Sequence, residues 1–212
     1  GGATAYLVDT LTANEGLIAL QVHAINNERQ KGLRLCWRNI RINTSNVRAT
    51  TFPKGVYVVN LVPNSLSGYE VQDGWKLLFN GKNSDGWVGA YKKTFPEKGW
   101  EIKDGILKVL QSSGAESANG GDIVTREEFS AFDLSFEFKL TPGANSGLKY
   151  FVTLSENNQG SAIGLEYQLL DDTLHPDAKM GRDGNRTLAS LYDMIKANKT
   201  SRFIKQPGRW NT

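Results

Sequence analysis

Within residues 164–186, GLEYQLLDDTLHPDAKMGRDGNR, a strand-like run leads straight into the densest polar loop of the chain. Side chains alternate across a strand, so Glu166 and Gln168 share one face while Ile163, Leu165, Tyr167 and Leu169 share the other. The loop adds Asp171, Asp172, His175, Asp177, Lys179, Arg182, Asp183, Asn185 and Arg186, more ionisable chemistry than a plain connection needs. A carboxylate beside a histidine can move a proton near neutral pH, and a lysine or arginine can hold a developing oxyanion. Glu166 can instead pair with a second carboxylate as in an ordinary glycosidase, ~5 Å apart for retention or ~6.5 to 9.5 Å for inversion. By strand parity Asp171 falls on the side of Tyr167 and Leu169, which leaves Asp172 as the better-directed partner. Both aspartates can equally cap a turn through their own backbone. The cluster His175, Asp177, Asp183 raises a divalent metal as an alternative. No spacing in it matches a strong metal motif, so no metal ligand and no cofactor are assigned.

The elements that must position these groups are strands. An edge strand or turn is expected at 5–8, and two convincing strands at 17–23 and 33–42. In the first, Ile18, Leu20 and Val22 share one face, which puts Gln21 and His23 together on the other. The second, LRLCWRNIRI, mixes charge with apolar residues on one parity, which points to a bulge or to two different environments, with Trp37 as core anchor. Residues 43–73 read as a linker or crossover around a short apolar strand at 56–62. From Gly74 the texture reads as a β-meander: WKLLF, a turn at NGKNSDG, WVGAY, and a hairpin whose Asp104-Gly105 favours a type I′ turn. TREEF reads as a single helical turn with Thr125 as N-cap. Residues 133–140 alternate almost ideally, and in 147–154 Lys149 takes the parity that can face the same cleft as Glu166. No long helical period occurs, so the fold class is all-β with a curved sandwich as the leading architecture.

Composition narrows the partners. The 212 residues are 39% hydrophobic, enough to fill a core, and a net charge of +3 is spread over 25 basic and 22 acidic residues without a run of one sign. Nucleic acid and membrane surface are therefore not expected as partners, and a small or neutral ligand is. The single cysteine, Cys36, lies in an apolar run and reads as a buried thiol. No apolar run approaches the ~20 residues of a membrane span. Five Trp, seven Tyr and nine Phe suit sugar-stacking platforms, with Trp87, Tyr91 and Trp100 as candidates.

The ordered motifs GWKLLFNGK, DGW, GWEIKDGILKV, GGDIVT, FDLSFEFKLTPGANSGLKYFV, GLEYQLLDD, HPD, GRDGNRT and SLYD resemble the 3-keto-disaccharide hydrolase domain family over residues 74–212. The resemblance implies a concanavalin A-like jelly-roll β-sandwich. GLIALQVHAI and LCWRNIRI are similar to the closing strands of the same domain. The implied division is 1–44 as the closing strands of one such domain, 45–73 as linker and 74–212 as the N-terminal part of another. A tandem fragment is the simpler explanation of that order, and a permuted arrangement in which residues 1–44 complete the later sheet is the other. A sheet short of inner strands would expose its edges, so self-association to complete it is a further expectation.

The family further implies a carbohydrate substrate oxidised at C3, and cleavage of its glycosidic bond. The ketone acidifies the hydrogen at C2, so a base can remove it while the group at C1 leaves, and water can then add. On that template His175 or His23 suits the base, Glu166 acid or base, and Lys149 or Arg186 the enolate oxygen. Gln168, Asp172, Arg186, Gln21 and Trp87 are the expected substrate contacts, and secretion or the periplasm the expected location. Two other classes stand beside it, a lectin-like carbohydrate-binding module and an inert structural repeat.

Overall fold

The computed structural model describes residues 15–22, 34–45, 60–110, 120–155, 161–198 and 204–212. The edge strand expected at 5–8, most of the strand expected at 56–62, and His23 lie outside the described residues. Two antiparallel sheets enclose one large hydrophobic cluster, a β-sandwich of jelly-roll type. The first sheet has the order β10-β9-β1-β7-β4, from β1 (Leu17–Leu20), β4 (Trp87–Gly89), β7 (Ile123–Thr125), β9 (Asn145–Thr153) and β10 (Ile163–Leu170). The second contains β2 (Leu35–Asn43), β3 (Trp75–Leu77), β5 (Trp100–Lys103), β6 (Ile106–Val109) and β8 (Asp133–Leu140).

Both N-terminal strands are interior. β1 is hydrogen-bonded between β9 and β7, with Leu20 opposite Leu148 on one side and Ile123 on the other. β2 pairs along its length with β8, from Leu35 opposite Leu140 to Asn43 opposite Asp133, while β6 and β3 share its other edge. β1 and β2 thus complete the two sheets that the later strands begin. The stretch 45–73, expected as linker, carries the short helix α1 (Gly68–Gln72), which is closed by a capping box between Ser67 and Glu70.

Local rules account for much of this. In β8 the residues Leu134, Phe136, Phe138 and Leu140 turn to the core. The Phe136 ring lies 5.4 Å from Trp37 and 6.1 Å edge-on from Tyr167 of the opposite sheet, so one aromatic group ties the two layers. The mixed pattern of β2 is explained by a bulge. Asn39 has φ 53° and the register with β8 shifts between Arg38 and Arg41, so Trp37, Ile40 and Ile42 all face inward. Arg38 and Arg41 face outward, Arg38 on Glu137 and over the Trp210 ring at 3.9 Å, Arg41 on Glu70. Cys36 is buried, and burial pushes its thiol pKa up, consistent with an inert thiol. The hairpin β5–β6 turns on Asp104 and Gly105, both at positive φ as type I′ requires.

Two expectations are corrected. The meander does not form, because β3 joins the second sheet and β4 the edge of the first, so the NGKNSDG turn crosses between layers. TREEF does not open with a helix cap: Thr125 ends β7, and its hydroxyl accepts from the Ile18 backbone N–H at 3.0 Å. Pairing with β1 overrides the local capping signal.

Candidate active site

Across the first sheet, register sets Glu166 of β10 opposite Lys149 of β9, and Lys149 opposite Ala19 of β1. Two residues further along, Gln168 stands opposite Gly147, and Gln21 donates its backbone N–H to Gly147 O at 3.0 Å. Leu148, Tyr150 and Tyr167 pack against the core, so this polar row lies on the other face.

Two diagonal contacts cross that face. Lys149 Nζ donates to Asp122 Oδ2 at 2.9 Å and to Ala162 O at 3.0 Å. Asp122 also accepts the backbone N–H of Val22 on Oδ1 and of Ala162 on Oδ2, so one buried carboxylate joins the ends of β1, β7 and β10. The second diagonal runs from Gln21 Nε2, which donates to Glu166 Oε2 at 3.0 Å. The Glu166 side chain reaches β1 because Gly147 leaves β9 bare between them. A Cβ at Gly147 would lie 2.1 Å from Glu166 Oε1. Gln21 is only 5% exposed, and its Oε1 has no hydrogen-bond partner among the described residues.

The loop after β10 forms a second polar cluster at the rim. Arg186 grips Asp193 through Nε and Nη2, both at 2.9 Å, and Asp177 through Nη1 at 3.1 Å. Tyr192 donates its hydroxyl to Asp177 Oδ2 at 3.0 Å, beneath the Arg186 guanidinium. Burial, then the Asp177 contact, push the Tyr192 pKa up to about 12, with the charge of Glu166 adding to the rise. Tyr192 also donates its backbone N–H to Glu166 O, which joins the rim to β10. His175 caps the 3-10 turn Pro176–Lys179, its Nδ1 accepting from the Asp177 N–H at 3.2 Å. Burial lowers its pKa against the opposing pull of Asp177 and Asp171, so the imidazole is neutral near pH 7 with its proton on Nε2. A depression of about 580 Å³ beside this cluster is lined by Arg182, Asp183, Asn185, Asp193, Met194, Ile195 and Lys196, away from the sheet face.

Of the residues read from the sequence, the fold brings together Glu166, Lys149 and Gln21 on one face. The Lys149 ammonium is not open to an enolate, being held by Asp122 and Ala162. Gln168 is 0% exposed, with its amide donating to Asn145 Oδ1 at 3.3 Å and its backbone paired with residues 189 and 190 along the edge of β10, so it does not lie on the surface. Trp87 is corrected: at 1% exposure, with its indole N–H on Leu78 O, it is core and offers no ring face to a sugar. Trp100 is likewise buried, its N–H on Gly121 O. Asp172 accepts from the Leu188 N–H at 2.7 Å, and Asp171 from Gly143 and Thr173, which makes both fasteners of the loop. Among the described residues no three His, Cys, Asp or Glu side chains gather as a metal would require. Asp122 and Tyr192 were missed as individual residues, although both stand in the motifs GGDIVT and SLYD.

The described residues thus form a β-sandwich with an amide-held carboxylate and a buried ion pair on one sheet face. Residues 74–212 match the 3-keto-alpha-glucoside-1,2-lyase-like domain, and the chain belongs to that family. A protein named 3-keto-disaccharide hydrolase from Bacteroides thetaiotaomicron is 40% identical over 150 residues, covering 66% of this chain. The chain spans about half the length of that curated relative, 51%.

Proposed function

We propose that the chain is a carbohydrate-active enzyme that cleaves the glycosidic bond of a 3-keto-disaccharide or 3-keto-glycoside. Glu166 removes the C2 proton as general base, and the electrons move onto the C3 oxygen as an enolate. The enolate re-forms the ketone as the C1–O bond breaks and the leaving oxygen takes up a proton. Water then adds across the C1=C2 bond, so the net change is hydrolysis. The observation that carries this reading is the Glu166 carboxylate, held by the Gln21 amide across the bare strand at Gly147. Lys149, with its ammonium tied to Asp122, makes no direct contact with the sugar and fixes the strands beside Glu166. His175 is the alternative base, since burial keeps it neutral near pH 7. Family membership and the named relative support the substrate class.

The test is incubation with a 3-keto-glucoside and with its unoxidised parent, following products by mass. Consumption of the keto sugar alone is expected. Equal cleavage of the parent would replace this mechanism with a two-carboxylate glycosidase. Binding of both without cleavage would make the domain a lectin-like module. An extracytoplasmic location belongs to the same proposal and is checked by fractionating the native host.

A further inference from the structure

Gln21 stands outside residues 74–212, the segment that carries the family match, yet its side chain donates a hydrogen bond to Glu166. Its amide orientation follows from its partner. An ionised carboxylate can only accept, so Nε2 faces Glu166 Oε2 and Oε1 points elsewhere. That oxygen is an acceptor in a side chain 95% buried, without a donor among the described residues. A buried acceptor left unmade costs stability, so a site that carries one is suited to a ligand donor.

We propose that Gln21 is a substrate-binding and positioning residue: Nε2 orients Glu166, and Oε1 accepts a hydrogen bond from the hydroxyl on C2 of the 3-keto sugar. This rests on the elimination reading above. The base must come within hydrogen-bond reach of the C2 hydrogen, roughly 2.6 to 3.2 Å between heavy atoms or through one water. The hydroxyl on that same carbon is then the donor nearest an amide already in contact with the base. The C3 ketone cannot fill the role, because a carbonyl donates nothing. The N-terminal strand β1 therefore contributes recognition as well as sheet structure.

The experiment compares the whole chain and Gln21→Met on a 3-keto-glucoside and on its 2-deoxy analogue, which keeps hydrogens at C2 but lacks the hydroxyl. Wild-type kcat/KM is expected to fall on the order of 10- to 100-fold on the analogue, the scale of a buried acceptor left unsatisfied. Gln21→Met is expected to lose a similar factor on the parent keto sugar and distinctly less on the analogue. It is also expected to move the acidic limb of the pH–rate profile upward, because the ionised base has lost a donor. Equal losses on both sugars, or a wild type indifferent to the hydroxyl, would overturn the assignment while leaving the elimination standing. A wild type inactive on every 3-keto sugar would sink the underlying reading and this one with it. Where Gln21→Met does not fold, the wild-type comparison of the two sugars decides alone.

Discussion

Lys149 with Asp122, and Arg186 with Asp177 and Asp193, are both ion pairs that tie distant parts of the chain, but they stand in different media. The first pair has side chains 7% and 0% exposed, and each charge is completed by backbone groups. In the second, Arg186 and Asp193 remain 22% and 48% exposed, and water screens them. A buried pair contributes little net attraction once desolvation is counted, yet losing either partner is costly because the other charge stays buried alone. The inner pair thus holds β1, β7, β9 and β10 in register beneath Glu166. The outer cluster gives the rim its shape.

That contrast is open to direct attack. The largest effect is expected from Asp122→Asn, which strands the Lys149 ammonium and should cost ~3 to 5 kcal/mol in urea unfolding; a loss under ~1 kcal/mol would mean that water reaches the pair. Next comes Gly147→Ala. The three atoms nearest its Cβ all belong to the flexible Glu166 side chain, so the fold should hold while the displaced carboxylate lowers kcat on the order of 10²-fold. Unchanged turnover would separate Glu166 from the chemistry. At the rim, Tyr192→Phe removes one hydrogen bond to Asp177 and should cost about 1 kcal/mol.

The smallest effect is a pH dependence. His175 has a pKa lowered by burial, so between its folded value and the ordinary value of about 6.5 the unfolded chain binds more protons. Stability from this group is therefore fully present above the ordinary value and is lost as pH falls through the lowered one. The urea midpoint of wild type should rise with pH across that window, and His175→Gln should flatten the rise. Parallel curves for the two proteins would show that His175 is as solvated folded as unfolded.

Whatever depends on neighbours in sequence was legible there. The alternation of β8, the type I′ turn at Asp104-Gly105, the bulge in β2 and the shared face of Gln21, Lys149 and Glu166 all follow from period and turn chemistry. What depends on which strand lies beside which was not. Asp122 takes its importance from Val22, 100 residues earlier, and the core position of Trp87 follows from the sheet that β4 joins. Gln168 had the right parity for the site but is fully buried, its amide on Asn145, a contact that alternation cannot reveal. The loop aspartates and Arg186 were read as chemistry because of their type, and their partners make them mostly structure.

The most direct test is the turnover of a 3-keto-glucoside carrying deuterium at C2, by wild type and by Glu166→Gln. Wild type should release that deuterium to solvent as the leaving group departs, and the variant, still folded and still binding the sugar, should turn over on the order of 10²-fold more slowly or worse. Retention of the C2 deuterium through cleavage, or a Glu166→Gln variant as fast as wild type, would contradict the account.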